Sequence, residues 1–183
     1  MPKLLFLVGN SNAGKDWVAE NRYKNYTTYK LNQCFKTVFE LDHGLVPGTC
    51  NDKTKREEII LSGPLRDLTI SQAMVMSYKQ SLENYGYGSK FKTITIRAAF
   101  DTLDFLSRSN QSVVITDLRK STELKALLLF SEIIKYEPEM IHVFSENETP
   151  LKSDESLYDN ISLFQQLTHK TVNKYHNKYV RAN

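Results

Sequence analysis

The sequence predicts an α/β three-layer sandwich: a small parallel sheet with helices on both faces. Three observations point there. The run Leu4-Leu5-Phe6-Leu7-Val8 is unbroken in its apolar character, as suits a strand buried on both faces of a parallel sheet. Gly9-Asn10-Ser11-Asn12-Ala13-Gly14-Lys15-Asp16 follows at once, and its Gly-x-x-x-x-Gly-Lys spacing between a strand and a helix is that of a phosphate-binding loop. Strand-like and helix-like segments then alternate to the end of the chain, the pattern that builds parallel sheets.

Taken in order, the first helix begins near Gly14 and turns Trp17 and Val18 inward. Thr27-Tyr29-Leu31 alternates as a short second strand. Asn32 stands as N-cap of a helix whose apolar stripe is Phe35, Val38 and Phe39, and Gly44 stops it. From 44 to 66, Pro47, Gly48, Gly63 and Pro64 punctuate a polar stretch that reads as loops around a short helix. Ile70, Ala73, Met74, Tyr78, Leu82 and Tyr85 share one face of a further helix, and Ile96, Ala99, Phe100, Leu103 and Leu106 one face of the next. Val113-Val114-Ile115-Thr116 is a β-branched strand with Asp117 at its carboxyl end. A helix follows on Leu124, Leu127 and Leu128, and Pro138 closes that segment. Met140 to Phe144 forms a fourth strand. Residues 145–160 are polar and acidic, and a last helix carries Ile161, Phe164, Val172, Tyr175 and Tyr179, with no fifth strand before it. The whole reads as a single domain over 1–183.

Composition narrows the function classes. With 40% hydrophobic residues among 183, the chain can bury a sizeable core. A net charge of +3, from 24 Lys plus Arg against 21 Asp plus Glu, is too mild to make nucleic acid the main partner. Cys34 and Cys50 are too few for a disulfide framework, so a reducing, cytoplasmic setting is expected. The first apolar run is five residues long and enters a polar turn, unlike a signal peptide. No segment approaches the length of a membrane span.

The chemistry concentrates at two places. Successive amides from Gly9 through Gly14, with the positive end of the following helix, make an anion cradle, and Lys15 adds a mobile point charge for β/γ-phosphates. Asp16 stands where such loops usually place Ser or Thr. As a carboxylate it would repel bare phosphate, yet with Mg²⁺ between them it becomes a metal ligand. Its plainer role is an acid in the first helical turn, favourable to the dipole. Thr116-Asp117-Leu118-Arg119 is the second place. In open α/β sheets ligands sit beyond the carboxyl ends of strands, so Asp117 is placed to hold Mg²⁺ or orient its waters, and Arg119 to fork onto a transferring phosphoryl group. A solvated turn capping the next helix is the alternative. Lys36, Arg66 and Arg97 are weaker candidates for binding the phosphate of a substrate.

These residues carry a resemblance. Leu5-Phe6-Leu7-Val8-Gly9 through Gly14-Lys15-Asp16, with Val114-Ile115-Thr116-Asp117-Leu118-Arg119 about a hundred residues on, resembles the bacteriophage deoxynucleoside monophosphate kinases, of the adenylate-kinase-like branch of P-loop kinases. Cys34-Phe35-Lys36 resembles that family's Pro-Leu-Lys without the proline. The Gly-Lys-Asp ending is shared there and with animal phosphomevalonate kinases. The likeness spans residues 3–145 and is specific at the two motifs. It implies transfer of the γ-phosphoryl of ATP to a (deoxy)nucleoside monophosphate with Mg²⁺, in a host cytoplasm. Lys15 would steady the β/γ-phosphates, Asp16 and Asp117 would manage the metal, and Arg119 would contact phosphate. The resemblance also implies a substrate-binding insertion at about 44–90 and a short lid at about 145–160, and that candidate lid departs from the family: it has Lys152, no arginine, and Glu146, Glu148, Asp154, Glu155 and Asp159. Another small-molecule kinase, or a nucleotide-binding host-interaction protein on the same scaffold, therefore stays in view. Tyr175 and Tyr179 suit packing on the sheet and on a second copy, as a homodimer, equally well.

Overall fold

The computed structural model describes residues 1–84, 90–146 and 155–178. Five strands form one sheet: β1 (Lys3–Val8), β2 (Thr27–Tyr29), β3 (Val113–Ile115), β4 (Glu137–Phe144) and β5 (Asn173–His176). The helices are α1 (Lys15–Arg22), α2 (Gln33–Asp42), α3 (Ile70–Asn84), α4 (Lys90–Arg108), α5 (Ser121–Ile133) and α6 (Glu155–Thr168). The strand order is β2-β3-β1-β4-β5, and every pairing is parallel. Among the described residues, no helix is long and apolar enough to cross a membrane.

The alternating side chains of β1 explain the three layers. Leu4, Phe6 and Val8 point to one face, where they join Leu103 of α4, Leu124 and Leu127 of α5 and Phe164 of α6. Leu5 and Leu7 point to the other and join Val18 and Ala19 of α1. From Leu4 to Val8 the strand is buried throughout, each such side chain contributing about 1.5–3 kcal/mol. Phe6 meets Phe164 edge-on, ring centroids 6.3 Å apart. The predicted sandwich is therefore the observed one.

Backbone contacts divide the chain into two compact units, Met1–Leu31 with Ala99–Asn183, and Asn32–Ala98. The expected insertion at 44–90 falls inside the second, which has its own core of Phe35, Phe39, Cys50, Ile60, Leu65, Ile70 and Ala73. Its polar centre is Glu40, a buried carboxylate. Glu40 accepts hydrogen bonds from the Gly48 N–H at 3.0 Å and the Cys50 N–H at 2.7 Å, satisfying two amides that the loop cannot pair with itself. Burial, reinforced by the Glu40 carboxylate, pushes the Cys50 thiol up to about 11. Replacing Glu40 with alanine leaves both amides without their acceptor and should cost about 3 kcal/mol. Thermal unfolding should show the loss, and a thiol reagent at pH 8 should label Cys50 in the variant while labelling only Cys34 in the folded wild type. A silent Cys50 in the variant would contradict this account.

Two elements differ from the sequence reading. Pro138 does not close the preceding helical segment; it lies within β4, opposite Leu4. The ladder to β5 begins only at Ile141, so on that side no strand bond is lost to the missing N–H, and the Pro138 carbonyl accepts the Lys170 ammonium at 3.1 Å. The last helix stops at Thr168, and Val172 and Tyr175 do not continue it. His169 takes a left-handed conformation, φ 55°, and donates to the Gln165 carbonyl at 2.9 Å, which ends the helix. Residues 173–176 then pair with β4 as a fifth strand. Arg22 of α1 lies 4.7 Å over the Tyr175 ring, a contact worth about 0.5–1 kcal/mol. Tyr85, Tyr179 and residues 147–154 of the expected lid lie outside the described residues.

Candidate active site at the tips of β1 and β3

The topology itself picks out a crevice. After β1 the chain passes over one face through α1 to β2; after β3 it passes over the opposite face through α5 to β4. β1 and β3 are neighbours whose connections diverge, so their carboxyl ends border a switch point, where ligands bind in open α/β sheets. The loop Gly9–Asp16 stands at one tip and Thr116–Arg119 at the other.

The loop is built by its glycines. A Cβ on Gly9 would lie 2.1 Å from the Val143 carbonyl oxygen of β4, so only glycine lets the chain leave β1 so close to its neighbour. Gly14 adopts φ 80° and ψ 30° as the N-cap of α1, a left-handed conformation costly to any side chain. The Ala13 N–H donates to Asn10 at 3.3 Å, and Val18 N–H to Gly14 at 3.0 Å. The Lys15 ammonium folds back over the loop and donates to the carbonyls of Gly9 at 2.7 Å and Asn10 at 2.8 Å.

A brace that sequence reasoning missed comes from the far end of the chain. Asn177, buried, donates its side-chain N–H to the Ala13 carbonyl at 3.2 Å, while its own backbone N–H donates to Phe144 at 2.8 Å. The edge strand β5 thus holds the loop. Asn177→Ala should cost about 1–2 kcal/mol, read as a Tm fall of about 2–8 °C. An unchanged Tm would mean that the bond holds nothing.

Asp16 meets the tip of β3, but through Thr116 rather than Asp117. The buried Thr116 hydroxyl donates to Asp16 Oδ1 at 2.6 Å, and Lys30, just past β2, donates to Asp16 Oδ2 at 3.0 Å. The sequence places Thr116 in the Thr116–Arg119 group with no role of its own and does not mark Lys30 at all; nothing in a spacing of 100 or 14 residues shows that they meet Asp16. Burial works against ionising Asp16, but the Thr116 hydroxyl and the Lys30 ammonium, with the Lys15 charge behind them, hold its carboxyl below the usual carboxylate range. Their stabilisation is present above the unfolded carboxyl pKa of about 4 and is lost as pH falls through the lower folded value.

Asp117 turns one oxygen, Oδ1, to the Leu31 N–H at 2.8 Å, fastening the end of β2 to that of β3. The main chain of Arg119 is pinned at both ends: its N–H donates to Glu123 Oε2 at 3.2 Å, and its carbonyl accepts from Asn160 at 3.1 Å. Its exposed guanidinium has no ion-pair partner among the described residues. Lys36, Arg66 and Arg97 belong to the second unit. Lys36 donates to Asn51 Oδ1 at 2.8 Å, Arg66 pairs with Asp67 at 3.8 Å in full solvent, and Arg97 lies exposed on α4.

No family model and no curated protein sequence matches the chain. Among solved structures it is similar to a candidate kinase from Chloroflexus aurantiacus J-10-fl, at 10% identity over 97% of this chain and 86% of that one, TM-score 0.49. It is also similar to a dephospho-CoA kinase from Campylobacter jejuni, at 12% identity over 98% and 90%, TM-score 0.49. A third is an unliganded sugar kinase from Janibacter sp. HTCC2649, at 12% identity over 96% and 86%, TM-score 0.42. Identities of 10–12% say nothing of which substrate this chain takes.

Proposed function

We propose that the chain is an ATP-dependent phosphotransferase that moves the γ-phosphoryl group of ATP onto a (deoxy)nucleoside monophosphate. The observation that carries this reading is the meeting of the phosphate loop with the tip of β3 through Asp16 and Thr116 at 2.6 Å, at the switch point of the sheet. Phosphoryl transfer needs positioning and charge neutralisation more than covalent chemistry, and these residues supply both. The loop amides and the positive end of α1 hold the phosphate tail. Lys15, already suspended over the loop, meets the β- and γ-oxygens. Arg119, anchored by its main chain and exposed at its guanidinium, reaches the group in transfer.

The donor set fits a hard divalent cation: the Asp16 carboxylate, kept ionised, with the Thr116 hydroxyl beside it and Asp117 adjoining, oxygen atoms throughout. A bound Mg²⁺ would supply neutralisation of charge shared by the β- and γ-phosphates. Lys36, Arg66 and Arg97 are the candidate anion contacts of the second unit.

A second reading, a nucleotide-binding module without turnover, is favoured by the commitment of Asp117 to the Leu31 N–H and by the absence of arginine from 145–160. A coupled ADP-release assay with ATP, Mg²⁺ and a panel of ribo- and deoxynucleoside monophosphates separates them. Phosphorylation of one or more acceptors is expected. ATP binding with silence across the panel would reject the kinase in favour of the binding module.

A further inference from the structure

In ordinary phosphate loops the metal is held by a hydroxyl on the loop and a carboxylate on a neighbouring strand. Here the loop carries a carboxylate in place of the hydroxyl. The loop ends in the carboxylate of Asp16, and the hydroxyl that touches it, Thr116, stands at the tip of β3 at 2.6 Å. That replacement has an electrostatic consequence. A hydroxyl beside a polyphosphate is harmless when no metal is present; a carboxylate there repels it. The structure supplies the remedy in Lys30, whose ammonium sits 3.0 Å from the second oxygen of Asp16.

We propose that Asp16 is an exchangeable cation site, at which the Lys30 ammonium and a divalent metal ion compete for the same carboxylate. The proposal rests on the reading of the crevice as a nucleotide site. Lys30 neutralises Asp16 until the metal arrives with its nucleotide, and then yields Oδ2 to it, while Thr116 keeps hold of Oδ1. Solvent exposure makes the exchange easy. The two side chains are 42% and 57% exposed, and an ion pair so placed is worth about a factor of five at most. A dication draws the same carboxylate with twice the charge of the ammonium. The site binds hard cations, Mg²⁺ or Mn²⁺, whose ordinary partners are one or two carboxylates together with substrate phosphates.

The competition predicts effects of opposite sign from one substitution. In Lys30→Met the carboxylate loses its counter-ion, so ADP should bind about threefold more weakly in EDTA. The metal loses its competitor, so the free Mn²⁺ concentration giving half of its effect on ADP affinity should fall about threefold. Calorimetric titration of the full chain with ADP, in EDTA and at graded free Mn²⁺, reads both. Lys30→Arg, which keeps the charge, should behave as wild type. Asp16→Asn should abolish the Mn²⁺ dependence of ADP binding. If Lys30→Met shifts both quantities toward weaker binding, or leaves the Mn²⁺ midpoint in place, Lys30 merely shapes the loop and the competition is refuted. Mn²⁺ dependence that survives in Asp16→Asn refutes it as well. Wild-type protein that binds no ADP under any condition would overturn the nucleotide reading along with it, whereas normal ADP binding with an unresponsive Lys30 would overturn the exchange alone.

Discussion

Replacing Lys15 with alanine should lower phosphoryl transfer by about 100-fold or more, the scale on which single preorganised donors act on developing charge. The fold should barely notice. Among the ammonium's partners are two carbonyls, Gly9 and Asn10, at a strand tip where water can replace it, and substitutions of that sort fall within about 0.5 kcal/mol. The check is therefore a pair of measurements: nucleotide affinity and turnover on one side, thermal unfolding on the other. A variant that binds ATP within twofold of wild type would remove the loop from the active site and the proposed function with it.

Gly9→Ala should do the reverse and damage structure first. The added methyl would lie 2.1 Å from the Val143 carbonyl oxygen, and that oxygen belongs to a strand flanked by neighbours on both sides. Backbone so held cannot move aside as a flexible side chain would, so the overpacking cost should reach about 3 kcal/mol. For a chain of this size that lowers Tm by about 6–12 °C. Nucleotide binding should fall too, because relief comes only by shifting the loop amides away from their present directions. A variant with wild-type Tm would mean that β1 and β4 are less tightly spaced at this point than their register implies.

The parts of the molecule that were legible in the sequence are those whose chemistry is contiguous. The proposed phosphate cradle, Gly9 through Asp16, is eight consecutive residues after a buried strand, so pattern alone picks it out. β1 was legible because burial on both faces demands an unbroken apolar run. Thr116 and Lys30 were not, because their value lies in meeting Asp16 across 100 and 14 residues, and no local period encodes such a meeting. Asp117 was visible by residue type and strand position, but which oxygen it would turn to the Leu31 N–H depended on how β2 docks beside β3.

β5 shows how period can mislead. Val172, Tyr175 and Tyr179 are three and four apart, which reads as a helical stripe, and nothing local in Asn173-Lys174-Tyr175-His176 outweighs that. What decides is tertiary: β4 offers Ile141 to Phe144 for pairing, and the left-handed turn at His169 redirects the chain to reach it. Pro138 misled in the opposite way. Proline marks a break in most contexts, but where only one flank of a strand is paired it costs little.

Asn177 gives the molecule an order of completion in time. The carbonyl it secures belongs to Ala13, 164 residues earlier. At ordinary rates of translation the ribosome makes that partner roughly 10–30 s later. The loop is made well before this one of its braces. On the proposed reading of the loop, a chain stalled before Asn177 should bind ADP more weakly than the full chain, because the Ala13 carbonyl lacks its side-chain donor.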